Sequence, residues 1–256
     1  MPYTALISNL RSLPQETLTS DQRDALLSLL DYFEASSPYA LYLLTGYAGT
    51  GKTYLLRSIT EAATRAGLHV ELMASTGRAA KVLAGATGRQ ASTIHRTIYR
   101  ASTQLQEEGG SFQLGRVSAG RPTLFIVDEA SMISGDTGEV TPFGSGNLLD
   151  DLLAYVWSAD ESKLILVGDT AQLPPVGTPL SDALNAEVLT SRYGLEVYGT
   201  ELREVVRQKK GGILHNATQL RQLLEDSADL DPEELLPIHL ETEGWRGIFA
   251  VEPGEF

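Results

Sequence analysis

Residues 41–53, Leu-Tyr-Leu-Leu-Thr-Gly-Tyr-Ala-Gly-Thr-Gly-Lys-Thr, constrain the fold of this chain more than any other stretch. Leu41 to Thr45 is an apolar run without a helical stripe, the pattern of a strand buried on both faces. Gly46-x4-Gly51-Lys52-Thr53 follows, and behind it Leu55, Leu56, Ile59, Ala62 and Ala63 recur at helical spacing. Strand, glycine loop and helix in that order predict a phosphate-binding loop. Gly46, Gly49 and Gly51 carry no Cβ, so the backbone N–H groups can turn inward around phosphate oxygens, with Ala48 and Thr50 completing the cradle. The start of the next helix adds the positive end of its dipole. Lys52 is placed to reach the β- and γ-phosphates and the Thr53 hydroxyl to ligate Mg²⁺. The chain is expected to bind a nucleoside triphosphate.

At 256 residues the length suits one or two domains with a sizeable core. The sequence lacks cysteine, which excludes disulfides and cysteine-ligated zinc and fits a cytoplasmic location. Neither a secretory leader nor a membrane span is expected, since no stretch holds ~18 consecutive apolar residues. A net charge of −13 argues against nucleic acid at first, but the charge is unevenly spread. Residues 221–256 hold ten acids and two bases, whereas Arg78 to Arg100 has five bases and no acid. That basic stretch reads either as a polyanion track or as a solvated helix face.

Residues 1–36 read as helical, with a cap at Leu18-Thr19-Ser20 and a stop at Ser36-Ser37-Pro38. After a helix over 52–66, Val70 to Ala74 is a second strand candidate, and a helix from Thr76-Gly77 should be interrupted at Gly85 to Gly88. Ser92-Thr93 caps a short helix containing Ile94, His95 and Ile98. Residues 101–121 read as a small hairpin or a flexible excursion, and 134–147, with five glycines or prolines, as a surface loop. Further strands are expected at Leu124 to Val127, Leu164 to Val167 and Leu195 to Val197, with helices at Leu148 to Val156 and from near Gly212. Alternating strands and helices imply a mostly parallel sheet with helices on both faces. The acidic 225–243 segment reads as a helix pair of a following domain or a poorly ordered tail.

Two further strand ends carry chemistry. Val127-Asp128-Glu129-Ala130 closes an apolar run with adjacent carboxylates: Asp128 is suited to hold Mg²⁺ and Glu129 to polarise an attacking water. On another strand, Gly168-Asp169-Thr170-Ala171-Gln172-Leu173-Pro174-Pro175 offers an amide, Gln172, that can sense a γ-phosphate; the alternative is a proline-stiffened turn after a strand, which the two prolines explain unaided.

With these stations in order, the sequence resembles superfamily 1 DNA helicases of the RecD-like and Dda-like branch, over most of residues 18–210. Gln22 matches that family's adenine-reading glutamine, and Gly46 to Thr53 its motif I. Ser75-Thr76-Gly77-Arg78-Ala79-Ala80 resembles motif Ia, and Ser92-Thr93-Ile94-His95-Arg96 the motif after it. Asp128 to Met132 is similar to motif II, Gly168 to Pro175 to motif III, and Leu202 to Gln208 to motif IV, with Arg207 as the arginine that approaches the γ-phosphate. The resemblance implies a RecA-like P-loop NTPase domain binding ATP and Mg²⁺. It makes Lys52, Glu129, Gln172 and Arg207 catalytic, and sets single-stranded DNA against Thr76, Gly77, Arg78, Lys81, Thr93 and His95. His95 reads equally as a buried, hydrogen-bonded side chain. Phe112 lies where the family carries a duplex-splitting hairpin, although aromatics more often serve a satellite core.

The family's motor has two lobes, and only 48 residues follow Gln208 here. Residues 1–210 are therefore expected to be the first lobe and 211–256 an acidic linker or the start of a second, in a monomer with weak DNA affinity. Two other functions stand beside the helicase reading: a nucleotide-binding interaction module without turnover, and a P-loop phosphotransferase of another class.

Overall fold

The computed structural model describes residues 2–101, 112–117, 121–133, 142–172 and 181–206. The chain divides into two units, Met1–Glu204 and Val205–Phe256, and the elements that follow belong to the first.

Two helices open it, α1 (Thr4–Arg11) and α2 (Ser20–Glu34). The stretch read as helical over 1–36 is thus two helices, the second starting at the expected cap. Pro14 cannot donate a helical hydrogen bond and disfavours helix at the residue before it, and Gln15–Thr17 forms a 3-10 turn. α2 begins with a capping box: Thr19 Oγ1 accepts from the Gln22 N–H and Gln22 Oε1 accepts from the Thr19 N–H, both at 3.2 Å.

The order continues β1 (Ala40–Gly46), α3 (Lys52–Arg65), β2 (His69–Ala74), α4 (Gly77–Thr87), β3 (Ala91–Thr93) and α5 (Ile94–Ile98). α4 runs through Gly85 and stops only at Gly88, which takes the left-handed conformation (φ 69°). One helix-interior glycine costs only about 1 kcal/mol, which buried Ala80 and Leu83 on the same helix offset. Then come β4 (Tyr99–Ala101), β5 (Phe112–Leu114), β6 (Thr123–Asp128), α6 (Leu148–Val156), β7 (Lys163–Gly168), α7 (Ala186–Tyr193) and β8 (Glu196–Leu202). β3 and α7 go beyond the sequence reading, and β8 is longer than expected. α7 has legible signals all the same: Asn185 Oδ1 accepts from the N–H groups of Glu187 and Val188, and Gly194 ends the helix.

Six strands form one parallel sheet in the order β3-β2-β6-β7-β1-β8. The alternation of side chains along each strand sorts them into two cores. Tyr42, Leu44, Ile126 and Ile165 pack with Leu6, Leu29, Leu55 and Ile59 of α1, α2 and α3. Leu41, Leu43, Phe125 and Leu166 pack with Ile98, Leu152 and Leu189 of α5, α6 and α7. The sheet is covered on both faces, as the apolar runs required. Each such leucine contributes about 1.5–3 kcal/mol by burial.

β4 and β5 pair antiparallel, Tyr99 opposite Leu114 and Ala101 opposite Phe112, so a hairpin base does stand at the edges of 101–121. Residues 142–146 lie alongside it: the Phe112 N–H donates to the Pro142 carbonyl (2.8 Å) and the Gly144 N–H to the Phe112 carbonyl (2.9 Å). The remainder of the expected 134–147 loop, 134–141, and the helix expected near Gly212 lie outside the described residues.

Candidate functional site

All six parallel strands deliver their carboxyl ends to one edge. Thr93, Ala74 and Asp128 stand in one row across β3, β2 and β6, and Gly168, Thr45 and Glu201 in another across β7, β1 and β8. With strands ~4.8 Å apart, the loop after β1 and the end of β6 are about 10 Å from each other, two strand spacings with β7 between them.

The loop after β1 turns on Gly46, Gly49 and Gly51, all at positive φ (151°, 87° and 94°). A Cβ at Gly46 would stand 2.5 Å from the Leu202 carbonyl oxygen and 3.0 Å from Thr50 Oγ1, so a side chain has no room there. Thr50 is buried and folds its hydroxyl onto the Tyr47 carbonyl (2.8 Å), while Ala48 is exposed at the loop's crest. Lys52 donates to the carbonyl oxygens of Gly46 and, at 3.0 Å, Tyr47, which holds its ammonium over the loop. Thr53 follows in the first turn of α3. Gln22 is 3% exposed, and its Nε2 donates to the Thr50 carbonyl at 3.3 Å. An amide nitrogen has two N–H groups and the oxygen two lone pairs, so these bonds leave Gln22 one of each.

At the end of β6, Asp128 Oδ1 accepts from the Glu129 N–H at 3.0 Å. Burial pushes the Asp128 carboxyl above the usual carboxylate range. The N–H of Glu129 lowers it, the charge of Glu129 raises it, and the ammonium of Lys52 lowers it. Glu129 takes the left-handed conformation (φ 55°, ψ 42°), an uncommon backbone for a residue with a side chain and one often found where chemistry is done. At the end of β7, Asp169 is buried and builds its own turn, Oδ1 accepting from the Ala171 N–H at 2.9 Å and the backbone carbonyl from the Gln172 N–H at 3.2 Å. That turn presents Gln172 on the surface, where Ser131 Oγ donates to its Oε1 at 3.3 Å. Ser131 had no assigned role in the sequence, and only contact across strands reveals one. Leu173 to Pro175 lie outside the described residues, as does Arg207.

On the β2 and β3 side, Thr76 caps α4 by accepting from the Ala79 N–H (3.1 Å), and Thr93 caps α5 by accepting from the Arg96 N–H (3.3 Å). A hydroxyl that accepts keeps its own O–H to donate. Gly77, Arg78 and Lys81 are exposed on α4. A groove of 280 Å³ lined by Thr76, Arg78, Asp128, Glu129, Met132 and Gln172 connects the two sides. His95 is half-buried beside Tyr99 and Phe143 (ring centroids 5.6 and 5.1 Å), and that burial lowers its pKa. Phe112 stacks on Phe143 at 4.7 Å with 37% of its surface exposed, so one of its faces is packed.

The residues present fit a magnesium-bound triphosphate. The glycine loop leaves room for backbone N–H groups to meet phosphate oxygens, and Lys52 supplies positive charge. Thr53 and Asp128 are the hard oxygen donors that Mg²⁺ prefers.

A family model described as an AAA domain matches residues 17–231. The ATP-dependent RecD2 DNA helicase of Deinococcus radiodurans is 34% identical over 177 residues, which cover 69% of this chain and 22% of that protein. The ATP-dependent DNA helicase dda of Enterobacteria phage T4 is 29% identical over 210 residues, covering 80% of this chain and 43% of its own. Among solved structures, the Pif1 helicase from Candida albicans superposes with a TM-score of 0.48 at 24% identity, over 80% of this chain and 44% of that one. This chain thus spans less than half the length of each. It belongs to the AAA domain family, as a relative of the RecD-like and Dda-like superfamily 1 helicases.

Proposed function

We propose that this chain is the first, ATP-binding motor lobe of a DNA helicase that couples ATP hydrolysis to movement along single-stranded DNA. The observation that carries this reading is the common edge of the sheet. Phosphate loop, paired carboxylates and Gln172 lie at the ends of β1, β6 and β7, and the basic α4 side adjoins them at β2 and β3. Lys52 binds the β- and γ-phosphates and Gln22 the adenine. Thr53 and Asp128 would hold Mg²⁺, which when bound neutralises phosphate charge. Glu129 takes the proton of the attacking water, and Gln172 and Arg207 respond to the γ-phosphate. Thr76, Gly77, Thr93 and His95 bond the DNA backbone, with Arg78 and Lys81 adding charge. A second lobe completes the ATP site in this reading, so the first lobe by itself binds ATP and turns it over slowly, as a monomer.

ATP turnover by the full-length protein and by this chain, with and without single-stranded DNA, beside Lys52→Ala, tests the reading. DNA-stimulated turnover that vanishes in the variant is the expected result. A full-length protein with intact Lys52 that shows no DNA-dependent hydrolysis would overturn it.

A further inference from the structure

The first turn of α2 is bonded on two sides. On one, Gln22 donates to the Thr50 carbonyl of the phosphate loop at 3.3 Å. On the other, Asp21 Oδ2 accepts from the backbone N–H groups of Arg203 and Glu204, each at 2.7 Å, where the chain leaves β8. Both bonds are charge-assisted and span about 180 residues of sequence. An acid chosen only to complement the helix dipole needs no such partners. The capping box locks Thr19 to Gln22, so Asp21 and Gln22 are carried by one rigid turn. The sheet supplies a second connection between the same places, because Gly46 pairs with Leu202 and lies too close to its carbonyl to carry a side chain.

We propose that Asp21 is a positioning residue that carries the state of the phosphate loop to the chain's exit from the sheet at Arg203–Glu204. The proposal rests on the reading that the loop binds ATP. A triphosphate draws the loop's N–H groups inward, the Thr50 carbonyl shifts with its peptide, and Gln22 passes the shift to the turn that bears Asp21. Two adjacent N–H groups held by one carboxylate oxygen tie residues 203 and 204 to the first turn of α2.

The test is amide hydrogen exchange at residues 203 and 204, with and without saturating magnesium and a non-hydrolysable ATP analogue. Wild type, Asp21→Ala and Asp21→Asn are compared, and nucleotide binding is measured on the same samples. In wild type, nucleotide should slow exchange at these two amides by about tenfold, the scale of a stabilised local closure. Asp21→Ala should bind nucleotide yet lose that response, with β8 amides 197–201 still protected. Asp21→Asn, which keeps an oxygen acceptor, should recover part of it. An unchanged response in Asp21→Ala, a wild type that binds nucleotide without slowing at 203–204, or loss of protection along all of β8 would each overturn the proposal. Wild-type protein that binds no nucleotide would overturn the reading of the loop, and this inference with it.

Discussion

The Ser131 hydroxyl donates to the Gln172 side-chain oxygen at 3.3 Å, joining the residues that follow β6 to those that follow β7. One side of that bond holds the paired carboxylates and the other the amide that answers the γ-phosphate in the proposed function. Ser131→Ala removes a neutral hydrogen bond, worth about 0.5–1.5 kcal/mol. In the full-length protein the stimulation of turnover by single-stranded DNA is expected to fall about two- to tenfold, while ATP affinity is kept. Steady-state kinetics with and without DNA check this.

Lys52→Ala leaves the loop without its ammonium. A charge-assisted contact contributes about 1.5–3 kcal/mol, so affinity for a fluorescent ATP analogue should drop roughly ten- to 150-fold. The apolar core is not touched. Thermal unfolding measured without nucleotide should stay close to wild type, which separates the binding effect from a folding defect.

Gly46→Ala forces a Cβ to within 2.5 Å of the Leu202 carbonyl, at a backbone φ of 151°. Neither atom can yield without moving β1 or β8. A loss of about 1–3 kcal/mol is expected from overpacking and strain, read as a lowered denaturant midpoint. Nucleotide binding should fall with it.

Tyr99→Phe tests the support under the hairpin. The Tyr99 hydroxyl donates to Asp151 Oδ2 at 2.6 Å, and the same oxygen accepts from the Ser145 N–H at 3.0 Å. Burial, and then the Asp151 carboxylate, raise the pKa of that phenol, so it stays protonated and donating. Removing it leaves a buried carboxylate short of a partner and should cost about 1–3 kcal/mol in denaturant unfolding.

His95 predicts the direction of a pH effect. Burial lowers its pKa from the ordinary 6.5, so between the two values the unfolded chain binds more protons than the folded one. Stability therefore rises with pH through that window and declines on acidification below 6.5. In His95→Gln, the melting temperature should fall less than in wild type as pH is lowered through the same range.

What the sequence by itself determined is local. Strand, glycine loop and helix at 41–65 are legible because buried runs, glycines and helical spacing act over a few residues. The caps at Thr19, Thr76 and Thr93 are legible for the same reason, each bond reaching three residues ahead. Asn185 and Gly194 carry an equally local signal for the start and end of α7. Pro14 likewise marked the break between the first two helices. Only the tertiary structure decided which strand ends became neighbours. The order β3-β2-β6-β7-β1-β8 sets β7 between β6 and β1, brings Ser131 to Gln172, and carries the end of β8 to Asp21. Those contacts join residues 41 to 183 positions apart. They follow from how two apolar cores fill both faces of the sheet, a property of the whole packed arrangement that no single stretch of residues contains.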